Sequence, residues 1–83
     1  MYVGIDVSKE KFDACGIGAE GKKLFFLSCS MNRAGFDKLV VQLTKIHPAT
    51  LLLGMESTAS YHIALCSYLT AKGYRVAIIN PFG

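Results

Sequence analysis

No apolar run in this 83-residue sequence approaches the roughly 20 residues that a helix needs to cross a bilayer, which excludes a transmembrane helix and argues against a membrane role. No charged leader, long apolar segment and cleavage site precede the first apolar run, so Met1 reads as a true start and a cytoplasmic protein is expected. Cysteine is sparse. Cys15, Cys29 and Cys66 fit no zinc or redox spacing, and buried free thiols are expected. Clustered basic charge is missing too. The net charge of +3 and pI near 8.9 permit a nucleic-acid partner without demanding one. Lys9, Lys11, Lys22 and Lys23 fall in an N-terminal hairpin region, and Lys38, Lys45, Lys72 and Arg75 on or beside helices, where solvated faces are the default. The sequence has no internal repeat, low-complexity stretch or linker.

The length allows one domain at most, below the usual size of about 100 to 150 residues. Apolar residues make up 52% of the chain, and the last apolar run stops at Asn80-Pro81-Phe82-Gly83 with no closing element. The expectation is a piece of a longer protein, with residues 1–83 as the N-terminal portion of one domain.

Three apolar runs, about Tyr2 to Val7, Lys11 to Ile17 and Lys22 to Cys29, separated by short polar turns, predict an antiparallel meander. Gly16, Gly18 and Gly21 mark the second turn, where positive φ suits glycine. After Asn32, a suitable N-cap, Phe36, Leu39, Val40, Leu43 and Ile46 recur at helical spacing. That helix must stop before His47-Pro48. Leu51 to Met55 reads as a central strand covered on both faces. Ser57 or Thr58 can cap a second helix whose Tyr61, Ala64, Leu65, Tyr68 and Leu69 share a buried face, and Gly73 can end it. Arg75 to Ile79 is a further buried strand, parallel to the one before it. The fold class is α/β, a mixed sheet in the order β-β-β-α-β-α-β.

Two acids stand out. Asp6 lies in the middle of Val3-Gly4-Ile5-Asp6-Val7, where burial without a partner would be costly. Glu56 closes the apolar run Leu51-Leu52-Leu53-Gly54-Met55. If the first and fourth strands are parallel neighbours, both acids reach the C-terminal edge of the sheet, where open α/β sheets place their ligands. Two carboxylates there repel unless a cation joins them. Mg²⁺, or Mn²⁺, prefers oxygen ligands and keeps several waters, which suits phosphodiester cleavage.

An Asp in the first strand and a Glu at the end of the fourth is the ribonuclease H-like pattern. Val3-Gly4-Ile5-Asp6-Val7-Ser8-Lys9, Gly54-Met55-Glu56-Ser57-Thr58 with Tyr61, and Gly73-Tyr74 leading to Asn80-Pro81 resemble the DEDD-type transposases of the insertion-sequence family "one-ten" and the related Piv/MooV DNA invertases. The likeness runs along nearly the whole chain. It implies an N-terminal catalytic domain similar to the Holliday-junction resolvase RuvC, truncated here, in which an Asp, a Glu and two further Asp residues bind metal. Asp6 matches the first and Glu56 the second; the other two would lie beyond Gly83. Family members also carry a C-terminal domain with a serine implicated in strand exchange, and some are guided by a structured RNA from the element. The implied partners are DNA, a guide RNA and further copies of the chain, and the fragment alone should be inactive. Lys9 and Lys11 are candidate phosphate contacts. Thr58 could receive a phosphate at a helix N-terminus, and the Tyr61 hydroxyl could reach the site.

Plainer roles compete. Asp6 could accept backbone hydrogen bonds at a strand end, Glu56 could favour the dipole of the following helix, Ser57 and Thr58 could be caps only, and Tyr61 could be core. His47 and His62 read as surface residues. Asp13 alternates with Phe12 and Ala14, so it should face solvent and is not counted as a ligand. Two other functions share the pattern. An actin-like or sugar-kinase ATPase also carries an early Asp before a phosphate-binding hairpin, but Ser8-Lys9-Glu10-Lys11 offers one small hydroxyl and an acid that repels phosphate. The other is a non-catalytic assembly or nucleic-acid-binding module with structural acids.

Overall fold

A computed structural model describes residues 1–57 and 59–79. Strands β1 (Tyr2–Val7), β2 (Lys11–Ile17) and β3 (Lys23–Ser30) come first, then helix α1 (Arg33–Leu43), strand β4 (Leu52–Ser57), helix α2 (His62–Ala71) and strand β5 (Val76–Ile79). The expected order of three strands, helix, strand, helix, strand holds. The five strands form one sheet in the spatial order β3-β2-β1-β4-β5. β1 to β3 make the antiparallel meander, and β1–β4 and β4–β5 are parallel.

Alternation along the strands decides what is buried. Val3, Ile5 and Val7 of β1, Phe12 and Ala14 of β2, and Leu53 and Met55 of β4 point to one face. There they meet Phe36, Leu39 and Leu43 of α1 and Leu65 and Leu69 of α2 in a single core. Asn32 caps α1 as its sequence position suggests, its side-chain oxygen accepting from the Gly35 N–H at 2.9 Å. Gly35 is required by proximity: a Cβ there would lie 1.8 Å from the Ser30 carbonyl oxygen, so α1 starts hard against the end of β3. Gly73 (φ +92°) follows α2 in the left-handed region, as expected.

Five expectations are corrected. β4 is covered on one face only, with Leu52 and Glu56 on the open side. β5 is an edge strand with three of its four residues exposed, because β4 alone pairs with it. α2 begins at His62, beyond the Ser57 and Thr58 proposed as caps, and its N-cap Tyr61 makes no capping side-chain bond. Tyr61 is 40% exposed and Ala64 is exposed, so the buried face of α2 is narrower than its spacing suggests. In the second turn, positive φ falls on Glu20 and Gly21, whereas Gly16 sits within β2, where a Cβ would collide with the Phe25 ring. Thr58 and the Asn80-Pro81 pair lie outside the described residues.

Candidate metal and phosphodiester site

The parallel pairing of β1 with β4 sets Tyr2 opposite Leu52, Gly4 opposite Gly54 and Asp6 opposite Glu56. Adjacent strands run about 4.8 Å apart, so the two acids stand side by side on one face. Among the described residues that face carries no helix, since the core lies on the other. The expectation that Asp6 is a buried acid is overturned: Ile5 and Val7 turn inward and Asp6 turns outward, exposed. Glu56 is exposed as well. No charged or polar residue is buried among the described residues. Proximity to one another, not desolvation, makes the pair chemically distinctive.

The acids overlook a groove of about 390 Å³ lined by Tyr2, Gly4, Asp6, Asp13, Gly54 and Glu56, with Cys15, Phe26 and Ile79 at its sides. Asp13 pairs in register with Asp6 across the hairpin and lies on the same face, half-buried rather than fully solvent-facing. Its carboxylate is already engaged. Ser28 Oγ donates to it at 2.8 Å, and Lys11 Nζ lies 3.9 Å away. Among the described residues no three His, Cys, Asp or Glu side chains come together as a metal cage. Asp6 and Glu56 are a pair of oxygen donors open to solvent, which fits a hard divalent ion that keeps its waters and completes its shell elsewhere.

The remaining predicted residues fall at the rim or outside. Lys9 lies in the β1–β2 turn and Lys11 opens β2, both exposed at the end of the sheet that carries the acids. The turn is closed by Ser8, whose N–H and Oγ both donate to the Lys11 carbonyl at 2.9 Å. Ser57 Oγ accepts from the Ala59 N–H at 3.5 Å, a local turn and not a helix cap. His47 is exposed, as expected, but His62 is half-buried and its Nδ1 has no partner among the described residues. The three cysteines are free; Cys29 is buried, which pushes its thiol pKa up, and Cys15 and Cys66 are half-buried. Sequence reasoning missed Asp13 and Tyr2 as groove residues. Hairpin register from Asp6 would have found the first, and the glycines at 4 and 54 would have pointed to an occupant such as the second.

Residues 3–82 match the DEDD transposase family of the "one-ten" insertion-sequence class, described as a transposase. The pilin gene-inverting proteins of Moraxella bovis and Moraxella lacunata are each 32% identical over 84 aligned positions, covering 96% of this chain and 25% of the relative. The chain thus spans about a quarter of those relatives. The fold is similar to that of the Fowlpox virus resolvase, crystallised with its substrate Holliday-junction DNA, with a TM-score of 0.60 at 13% identity over 98% of this chain and 62% of that one. This likeness makes the mixed sheet ribonuclease H-like, of the RuvC type. The ATPase reading weighed from the sequence is set aside by the family match.

Proposed function

Because the chain belongs to the DEDD transposase family, we propose that it is the N-terminal part of the catalytic domain of a DNA transposase or recombinase that cuts and joins phosphodiesters with divalent metal at Asp6 and Glu56. The observation that carries this reading is the register of β1 and β4, which puts the acids side by side at the rim of an open groove. Two carboxylates at that spacing repel in the absence of a cation. They favour an oxygen-seeking ion, Mg²⁺ by preference, with Mn²⁺ able to replace it. When bound, the ion supplies positive charge for phosphoryl oxygens and for a water or terminal hydroxyl.

This chain's part is to hold that ion on two rigid strands and to leave the groove above it clear. Lys9 and Lys11 flank the same end and suit contacts to DNA phosphates, with Thr58 and the exposed Tyr61 as further contacts. Further acids from a longer protein would complete the shell, so the fragment by itself is inactive. DNA, an RNA guide and further copies of the chain are its proposed partners in the cytoplasm.

Mn²⁺ titration of the isotope-labelled chain tests the site. Paramagnetic broadening should centre on the C-terminal ends of β1 and β4 and vanish in Asp6→Asn and in Glu56→Gln. Broadening that is diffuse, or that survives both substitutions, would overturn the assignment. In a complete protein carrying this segment, either substitution should lower DNA cleavage by about a hundredfold or more, since metal stabilisation of the transition state is worth several kcal/mol.

A further inference from the structure

Gly4 and Gly54 face each other in the middle of β1 and β4, and together they strip two adjacent strands of side chains just behind the acid pair. Glycine inside a central strand weakens it unless something must approach closely. Here the Tyr2 ring does. A Cβ at Gly54 would lie 1.8 Å from the Tyr2 hydroxyl oxygen and 2.6 Å from Cζ, and a Cβ at Gly4 would lie 3.4 Å from Cε2. The ring therefore runs diagonally from β1 across to β4 and sets its hydroxyl directly above Gly54.

Glu56 is the next residue of β4 on that face, about 6 to 7 Å along the strand, which is within the sweep of its own side chain over the bare glycine. Neither Glu56 nor the Tyr2 hydroxyl has a hydrogen-bond partner among the described residues. Two of the donors near the acids are engaged elsewhere, Ser28 with Asp13 and Lys11 beside Asp13, and the Lys9 ammonium stands outside the groove lining. Among the described residues that line the groove, Tyr2 has the only side-chain O–H or N–H. Carboxylates that bind metal are oriented by such outer hydrogen bonds, and a neutral phenol can supply one without the charge that would repel the cation.

We propose that Tyr2 is a positioning residue of the site: when the Glu56 carboxylate engages a divalent cation, the free Tyr2 hydroxyl seated above Gly54 donates a hydrogen bond to it and fixes the direction in which that carboxylate meets the ion. This rests on the metal reading of Asp6 and Glu56. It also assigns Gly54 a task, since any larger residue there expels the hydroxyl while leaving it in the chain.

The test measures Mn²⁺ affinity by relaxation enhancement and the Mg²⁺-induced tyrosine difference spectrum in the unmodified chain, Tyr2→Phe, Gly54→Ala, their combination, and Tyr74→Phe as a remote control. Tyr2→Phe keeps the ring and its packing. It should weaken Mn²⁺ binding by about tenfold, within the 10- to 100-fold usual for lost outer-shell partners, and abolish the difference spectrum. Gly54→Ala should do the same with the hydroxyl still present, the double variant should be no worse than either single one, and Tyr74→Phe should change neither readout. If Asp6→Asn abolishes binding while Tyr2→Phe leaves affinity and spectrum intact, the metal site stands and the role of Tyr2 falls. If the unmodified chain binds no Mn²⁺ at the strand ends, both fall.

Discussion

Tyr68 shows how much one exposed hydroxyl can organise. It packs against Phe36 with ring centroids 5.4 Å apart and the planes tilted by 50°, donates a hydrogen bond to Asp37, and lies under the Arg33 guanidinium at 5.5 Å and the Lys72 ammonium at 5.0 Å. The hydrogen bond from Tyr68, with Arg33 3.4 Å away, holds the Asp37 carboxyl below its usual range. A carboxyl depressed in the folded state adds stability above its unfolded pKa and loses it as pH falls through the folded value. Tyr68→Phe, which preserves the ring, should therefore destabilise the chain slightly near neutral pH, and the deficit should shrink on acidification below the ordinary carboxyl pKa of about 4. Urea unfolding of both proteins at several pH values reads this out. A deficit independent of pH would mean that the Asp37 hydrogen bond is not its source.

At the scale of elements, the helices and strands were legible where local chemistry dominates. Asn32 sits one residue before α1, and its side chain satisfies an N–H that would otherwise be unpaired. Asn32→Ala should cost about 1 kcal/mol in chemical denaturation, and no loss would show that the tight seat of Gly35 on Ser30 alone fixes the start of α1. Asp6 and Glu56 were legible as a pair because position in a strand is encoded by period-two alternation. Their exposure was not, because alternation sets Asp6 on the face opposite Ile5 and Val7 but does not say whether that second face is covered. The same limit explains β4 and β5: a continuous apolar run looks the same whether its second face is covered within the chain or left open. The start of α2 was misjudged because Ser57 is spent on the strand and a local turn, and a serine before an apolar stretch serves either use. Asp13 required the pairing register of the β1–β2 hairpin, which alternation within a single strand does not contain.

At the scale of the molecule, the described residues form a sheet with helices on one side. Its other side shows Leu24 at 47%, Phe26 at 57%, Leu52 at 40% and Ile79 at 39% exposure, and β5 offers an unpaired edge. Apolar surface and open strand edges of this kind favour association. The isolated chain should self-associate as concentration rises, and Phe26→Lys should suppress it. Light scattering that finds a stable monomer at high concentration would contradict this. One consequence of the β1–β4 register concerns how the site could be lost. Successive residues of a strand face opposite ways, so slipping β4 by a single position against β1 would send Glu56 in among Leu39, Leu65 and Leu69 and bring Met55 out beside Asp6. The penalty for that slip is the share of the core that β4 supplies, Leu53 and Met55 turned out to solvent and an acid turned in. The chain thus proofreads its acid pair with its packing: any molecule whose interior is correctly assembled has, by the same stroke, its two carboxylates aligned, and one that is misthreaded fails first as a fold.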